Sequence, residues 1–290
     1  MKMIQVYDRN SKECYVEKEF GKGLLEFLYG NPVGRIILKT FIINKFYSKI
    51  KGMRERSKGS RKKIAEFIKE YDIDMTRYEE KQYKSFDEFF TRKLRKAYRE
   101  LDCKKKDFIS PADAKLQVYK IDNRLKLKIK GTDYNLEELL KNDKITNNYR
   151  NGYCLVYRLS VDDYHRYCHI DDGELVYNKV IKGKLHTVRP ISSRNKVFKE
   201  NQREYMILNT ENLGEMIYME VGAMQIGKIN NHDLSEFKKG QEKGYFSYGA
   251  STIVIIVQNN KVKIDDDILE MNKKNIEVKV KYGERIGKIL

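Results

Sequence analysis

The stretch Gly244-Tyr245-Phe246-Ser247-Tyr248-Gly249-Ala250-Ser251-Thr252-Ile253-Val254-Ile255-Ile256-Val257 decides how the rest of the chain is read. A loop carrying two glycines runs into a small-small-Ser-Thr step. An apolar, β-branched run follows without a break. Such a run predicts a buried strand, and the Gly-Ala-Ser step predicts a tight turn feeding it. Ser251 therefore falls where a flexible loop meets a rigid element, and its hydroxyl can be held against the carbonyl of Ala250. Two readings stand at this point: an ordinary turn serine before a core strand, or a nucleophile.

The 290 residues suffice for one large domain or two modest ones. A hydrophobic content of 40% can build a core, while 35% charged residues argue against an integral membrane protein. Mean hydropathy is −0.71, in the same direction. No run of about eighteen apolar residues occurs, so no spanning helix is expected. The first twenty residues lack the apolar core of a secretory signal. Cys14, Cys103, Cys154 and Cys168 are scattered with no CxxC pair, which fits reduced cytosolic thiols better than disulfides or a zinc site. The net charge of +17 attracts polyanions, either nucleic acid or an anionic lipid surface. None of the usual nucleic-acid modules is present, so no nucleic-acid partner is expected. A lysine-rich, AT-biased genome also contributes to this composition.

Residues 1 to about 20 alternate polar and apolar and predict a short hairpin. From Val33 to Tyr47, apolar residues recur at helical spacing beside Arg35, Lys39 and Lys45. This basic amphipathic helix suits either packing on the protein's own core or lying in a membrane interface. Residues 53–71 read as a charged helix or linker. Ser85 and Glu88 form a capping-box pattern ahead of Phe89-Phe90. Near residue 102 helical periodicity gives way to short alternating runs that predict strands at 116–121, 125–129, 154–159, 175–180, 205–208, 215–221, 223–229, 251–257, 261–264 and 276–280, with one helix at 136–140. The expected class is α+β: a helical N-terminal region, 1–102, packed on a β-rich body, 103–290.

Reactive residues gather in four further places. In Ser110-Pro111-Ala112-Asp113-Ala114-Lys115, Asp113 is either a turn former or a positioned carboxylate. Asp163-Tyr164-His165-Arg166-Tyr167-Cys168-His169 holds two of the chain's 4 histidines, the usual general bases near neutral pH. No second ligand pair accompanies them, so no metal is expected. Phe198-Lys199-Glu200-Asn201-Gln202-Arg203-Glu204 is a polar block suited to orienting an anionic headgroup. Val221-Gly222-Ala223-Met224-Gln225-Ile226-Gly227 has small residues that let backbone approach a ligand. Asp, His and Ser together form a set that recurs on unrelated folds in any chain order. No G-x-S-x-G elbow is present, so the target of the serine is read as the chain itself.

These blocks, together with Ser85–Leu94, Lys239–Gly244 and Gly249-Ala250-Ser251-Thr252, resemble in the same order the phosphatidylserine decarboxylases of the shorter, clostridial-like bacterial type. The resemblance spans nearly the whole chain. It implies that Ser251 attacks the carbonyl of Ala250 and that the resulting ester is eliminated, which leaves a β chain, 1–250, and an α chain, 251–290, headed by a pyruvoyl cofactor made from Ser251. Asp113 and a histidine would activate the serine, with His169 expected as the base and His165 as a helper near the carboxylate, or the two exchanged. The pyruvoyl carbonyl would form a Schiff base with phosphatidylserine and release carbon dioxide and phosphatidylethanolamine. The resemblance further implies a peripheral enzyme on the cytoplasmic face of an anionic cell membrane, with a homodimer among the possible assemblies. A chain that does not split would instead be a catalytically weak homologue that binds anionic phospholipid. Three departures from the family pattern stand out: alanine for glycine at Ala250 and at Ala114, and Cys168 where a gapless match expects the second histidine.

Overall fold

A computed structural model of the chain describes residues 4–17, 22–42, 45–99, 101, 104–129, 132–141, 145–186, 197–222, 228–249 and 251–290. The expected hairpin forms as β1 (Gln5–Asp8) and β2 (Glu13–Val16). Helices α1 (Lys22–Gly30), α2 (Pro32–Ile37), α3 (Lys45–Glu55), α4 (Lys63–Tyr71), α5 (Phe86–Phe90) and α6 (Lys96–Arg99) follow. The body then carries β3 (Asp107–Ile109), β4 (Ala114–Lys120), β5 (Lys126–Ile129), β6 (Thr132–Asn135), α7 (Leu136–Leu140), β7 (Tyr153–Leu159), β8 (Arg166–Cys168) and β9 (Gly173–Ile181). It continues through α8 (Val197–Glu200), β10 (Arg203–Thr210), β11 (Gly214–Val221), β12 (Ile229–Asn231), β13 (Glu236–Phe237), β14 (Glu242–Phe246) and β15 (Ser251–Val257). The chain closes with β16 (Val262–Ile264), α9 (Asp266–Lys273), β17 (Glu277–Val280) and β18 (Arg285–Ile289). The α+β class holds. Of the strand expected over 223–229, residues 223–227 lie outside the described part, and Ile229 opens β12.

The described strands build a 10-stranded sheet in the order β13-β9-β10-β11-β15-β7-β4-β17-β1-β2. β15 lies deep inside it, antiparallel to β11 on one side and β7 on the other. Its apolar run is continuous because both faces are covered. Ile253, Ile255 and Val257 enter one core with Tyr167, Phe246 and Ile286, and Val254 and Ile256 enter a second core with Leu136, Leu139 and Phe198. A strand with one wet face would alternate, and this one does not. The two cores lie on opposite faces of the sheet, the first beneath the small sheets β12-β14-β8 and β16-β18-β3, the second beneath α7, α8 and the hairpin β5-β6.

The residues downstream of 250 are woven through this architecture. β17 lies between β4 and β1, and β18 lies between β16 and β3. The N-terminal hairpin joins the body through a parallel ladder in which Val6 faces Glu277. Arg9 adds to that join by pairing with Asp265, Asp267 and Glu284 at 3.1, 2.7 and 2.6 Å.

In the helical region, Ser85 caps α5 by accepting from Glu88 N at 3.2 Å, and Glu88 reaches back to Lys84 N at 2.6 Å, one residue before the cap. The aromatic residues of α4 and α5 form a third cluster, Phe67, Phe86, Phe89 and Phe90, which takes in Val161 and Tyr248 of the body. The helix expected over 33–47 is realised as α2, a π-helical turn over Leu38–Ile42 and the start of α3. Gly34 lets α1 and α2 touch, since a Cβ there would lie 2.0 Å from the Phe27 carbonyl oxygen.

Candidate active site

Ser251 is the first residue of β15 and stands opposite Leu159, the last residue of β7. Strand alternation turns its side chain to the face of Ile253 and Ile255. It is fully enclosed, and Ser251 Oγ has no hydrogen-bond partner among the described residues. An unmet buried hydroxyl costs about 1–3 kcal/mol, so the arrangement calls for a reason.

The loop leading to Ser251 is held by its backbone donors. Phe246 N donates to His165 O at 2.9 Å, and Ser247 N donates to Lys228 O at 3.1 Å. Tyr248 N donates to Asp87 Oδ1 at 3.0 Å. Gly249 then takes φ 140°, a conformation side chains rarely adopt. Glycine adopts this conformation freely, so the residue type at 249 fits its backbone. Ala250 itself lies outside the described residues. The other alanine that replaces a family glycine, Ala114, starts β4 with no positive φ, so a side chain is accommodated there.

His165 is attached to the base of the same loop. Its carbonyl takes the Phe246 N–H, and its Nε2 lies 2.9 Å from Ser160 O, one residue beyond the partner of Ser251. A carbonyl only accepts, so Nε2 carries the proton and Nδ1 carries the lone pair. Nδ1 is buried, with no hydrogen-bond partner among the described residues. The ring stacks on Phe90 at 4.0 Å, and Phe90 meets Tyr248 edge-on at 5.1 Å. Burial, aided by the charge of Arg92, pushes the His165 pKa down to about 3, so the imidazole is neutral at ordinary pH.

His169 lies at the other end of β8. Its N–H donates to Gln241 O, and its ring stacks on Phe237 at 3.8 Å. Burial and then Lys243 push its pKa down to about 2. The three residues of β8 lie between it and His165, so four extended rises, about 13 Å, separate the two. Cys168 sits between the two, its Sγ 3.5 Å from Pro111 O.

Asp113 precedes β4, whose Lys115 stands opposite Arg158 of β7. Continuing that register brings Asp113 level with Ser160. Its carboxylate accepts from Tyr282 N at 2.8 Å and from Lys281 Nζ at 3.2 Å. Asp113 and Ser251 therefore stand at one end of the main sheet, before β4 and on β15 with β7 between them, and His165 is tied to the same end through Ser160 O. His169 does not share it.

Further charged groups crowd the same strand ends. Lys115 Nζ lies 2.8 Å from Asp163, both almost wholly buried. Burial pushes the Asp163 carboxyl up to about 6 against the pull of Lys115. Burial also opposes the Lys115 ammonium, but Asp163, Asp162 and Glu17 outweigh it and hold its pKa above the ordinary range. The side chains of Asp87, Phe90, Ser160 and Tyr248 belong to this neighbourhood too. Their sequence signals were adjacency to the Ser85–Leu94 and Asp163–His169 blocks, since none stands out by residue type. The Phe198–Glu204 block has another role in the described structure. Asn201 bonds His186 O and Gly222 O, both at 2.8 Å, and Arg203 bonds the carbonyls of Leu139, Lys199 and Asn201. Both side chains brace backbone.

With this geometry in view, the comparisons with known proteins are specific. The family model for phosphatidylserine decarboxylase matches residues 86–288. The chain is 53% identical over 285 residues to phosphatidylserine decarboxylase proenzyme 2 of Clostridium acetobutylicum, covering 98% of each chain. It is 41% identical to the phosphatidylserine decarboxylase proenzyme of Clostridium botulinum, covering 98% of this chain and 99% of that one. It is 40% identical to that of Ruminiclostridium cellulolyticum, covering 98% and 97%. The chain belongs to the phosphatidylserine decarboxylase family.

Proposed function

We propose that the chain splits itself before Ser251 and then converts phosphatidylserine to phosphatidylethanolamine and carbon dioxide. The observation that carries this reading is that two atoms buried without a hydrogen-bond partner among the described residues, the Ser251 hydroxyl and the His165 Nδ1, belong to side chains held at the same end of β7, Ser251 opposite Leu159 and His165 on Ser160 O. One has a proton to give, and the other is a neutral base able to take it.

Of the two histidines, His165 is the base in this reading. It removes the Ser251 Oγ proton at Nδ1 while Ser160 O holds Nε2–H. Oγ adds to the carbonyl carbon of residue 250. The peptide C–N bond breaks, and the new amine of Ser251 takes the proton. Loss of the Ser251 α-proton then expels residue 250 as a carboxylate. Addition of water at the former Cα releases ammonia and leaves a pyruvoyl group on residue 251. Asp113, fixed by Lys281 and the Tyr282 N–H, keeps the adjoining strand end in place.

The enclosed position of Ser251 fits such a group, because the strand that bears it is locked between β7 and β11 and cannot drift after the cut. A pyruvoyl carbonyl condenses with the substrate's amine and draws off the electrons left by the departing carboxylate. Ser251 is itself fully buried, and Phe90 and Tyr248 pack over His165 and the loop before it, an arrangement that limits access of water.

The helices give the lipid a route. Leu24, Phe27, Val33, Ile36, Ile50 and Met53 are exposed, an apolar set of the kind that enters a membrane interface. Lys51 of α3 lies 5.9 Å from the ring of Tyr248, so the helix bearing Ile50 and Met53 also touches the loop before Ser251. Among the described residues no helix is long and apolar enough to cross a membrane. The chain's net charge of +17 favours an anionic leaflet.

Three outcomes follow from this reading. Ser251→Ala should remain a single band on a denaturing gel, and His165→Ala should split at least about a hundredfold more slowly than wild type. His169→Ala should keep most of the rate, and a reversed ranking would exchange the two roles. The splitting rate should be level above about pH 7 and fall through a limb near pH 6. Below its raised pKa Asp163 gains a proton, loses its charged bond to Lys115 and loosens the Ser160 turn, whereas His165 stays neutral throughout that window. A pH profile that is flat down to about pH 5 would remove Asp163 from the account. Finally, replacing Val33 and Ile36 by Ser should weaken binding to anionic phospholipid vesicles without slowing the split, and added salt should weaken wild-type binding.

A further inference from the structure

One carboxylate at the strand ends comes from far outside the matched stretch 86–288. Glu17 directly follows β2, and its N–H donates to Ile4 O at 3.0 Å, so the hairpin fixes its backbone. Both its oxygens are engaged deep in the body. Oε1 accepts from Ser160 Oγ at 2.5 Å, and Oε2 accepts from Arg158 at 2.8 Å, with Lys115 Nζ 3.5 Å from Oε1. Ser160 is held from three directions. Its hydroxyl lies between Arg158 and Glu17, and its N–H donates to Asp163 Oδ2 at 2.7 Å. Its carbonyl is the acceptor that fixes the His165 ring.

We infer that Glu17 is a positioning residue for self-cleavage, holding Ser160 so that its carbonyl keeps the proton of His165 on Nε2 and the lone pair on Nδ1. The inference rests on the reading of His165 as the base for Ser251. It makes the N-terminal hairpin part of the processing apparatus rather than an appendage of the membrane-facing helices. The hairpin is well placed for this. β1 pairs with β17 of the downstream segment, and Arg158 bridges Glu17 to Glu277 on that same strand. Hairpin, body and downstream segment thus meet at one buried ionic cluster, and a shift in any of them is felt at Ser160.

The chemistry of the cluster says what a substitution does. Glu17→Gln keeps an acceptor for Ser160, but its amide group would then face Arg158 or Lys115, two cations it cannot satisfy. Arg158 retains Glu277 and Lys115 retains Asp163, so the fold keeps its strongest pairs. What is lost is the charged acceptor of the Ser160 hydroxyl, one of the contacts that orient this residue beside those of Arg158 and Asp163. Glu17→Asp restores the charge with a shorter reach.

The test is a cell-free synthesis of labelled precursor, with the split followed on denaturing gels for wild type, Glu17→Gln and Glu17→Asp. Melting temperatures are compared in a Ser251→Ala background, which cannot split. The expected result is a rate lower by at least about tenfold in Glu17→Gln, partly recovered in Glu17→Asp, with little change in melting temperature. A Glu17→Gln rate equal to wild type would overturn the inference. So would equal slowing in both variants accompanied by a matching drop in melting temperature, which would make Glu17 a stabiliser of the fold only. A wild-type precursor that never splits would instead remove the reading of Ser251 itself, before Glu17 enters.

Discussion

The structure depends on one strand being enclosed on every side. β15 has a hydrogen-bonded neighbour along each edge and an apolar core on each face. Any residue at its start inherits that rigidity, and the residue there is Ser251. The loop before it is anchored at Phe246, Ser247 and Tyr248, each through a backbone N–H. A loop fixed through its backbone donors thus leads to the head of a fixed strand. Among the described residues the Ser251 hydroxyl has no hydrogen-bond partner.

The same enclosure determines what a cut would do. Residues 251–290 supply β15, β16, β17 and β18, which are shared among the main sheet and a smaller one. Separating them would expose two cores at once. Cleavage at this bond therefore changes the chemistry of one residue and leaves the architecture alone. A group formed at the head of β15 stays opposite Leu159, one residue from the carbonyl that holds His165, in a buried setting where charge interactions are strong.

Much of this was legible in the sequence, for identifiable reasons. The β15 run announced itself because a strand buried on both faces has no polar positions to confuse the pattern. The Ser85 cap and the N-terminal hairpin were legible because capping and alternation are local signals. The short strands β8, β14 and β18 were not, since three to five residues carry too little periodicity. Within the site, Asp113, the histidine pair and Ser251 could be picked out by residue type. Which histidine is tied to the end of β7 opposite Ser251 could not, because His165 and His169 are four positions apart in a segment whose direction is set by pairing with β14. The ionic cluster was equally hidden. Glu17, Lys115, Arg158, Asp163 and Glu277 come from five separate segments, and only the sheet order brings them together.

The central claim is that Ser251 cuts the chain and is itself transformed in the process. The most direct measurement is the intact mass of the small C-terminal piece from purified protein. The account predicts the mass of residues 251–290 reduced by one ammonia, with no N-terminal amine available to amine-specific labelling. A full-length chain, or a 251–290 piece that retains the complete mass of serine at its head, would contradict it.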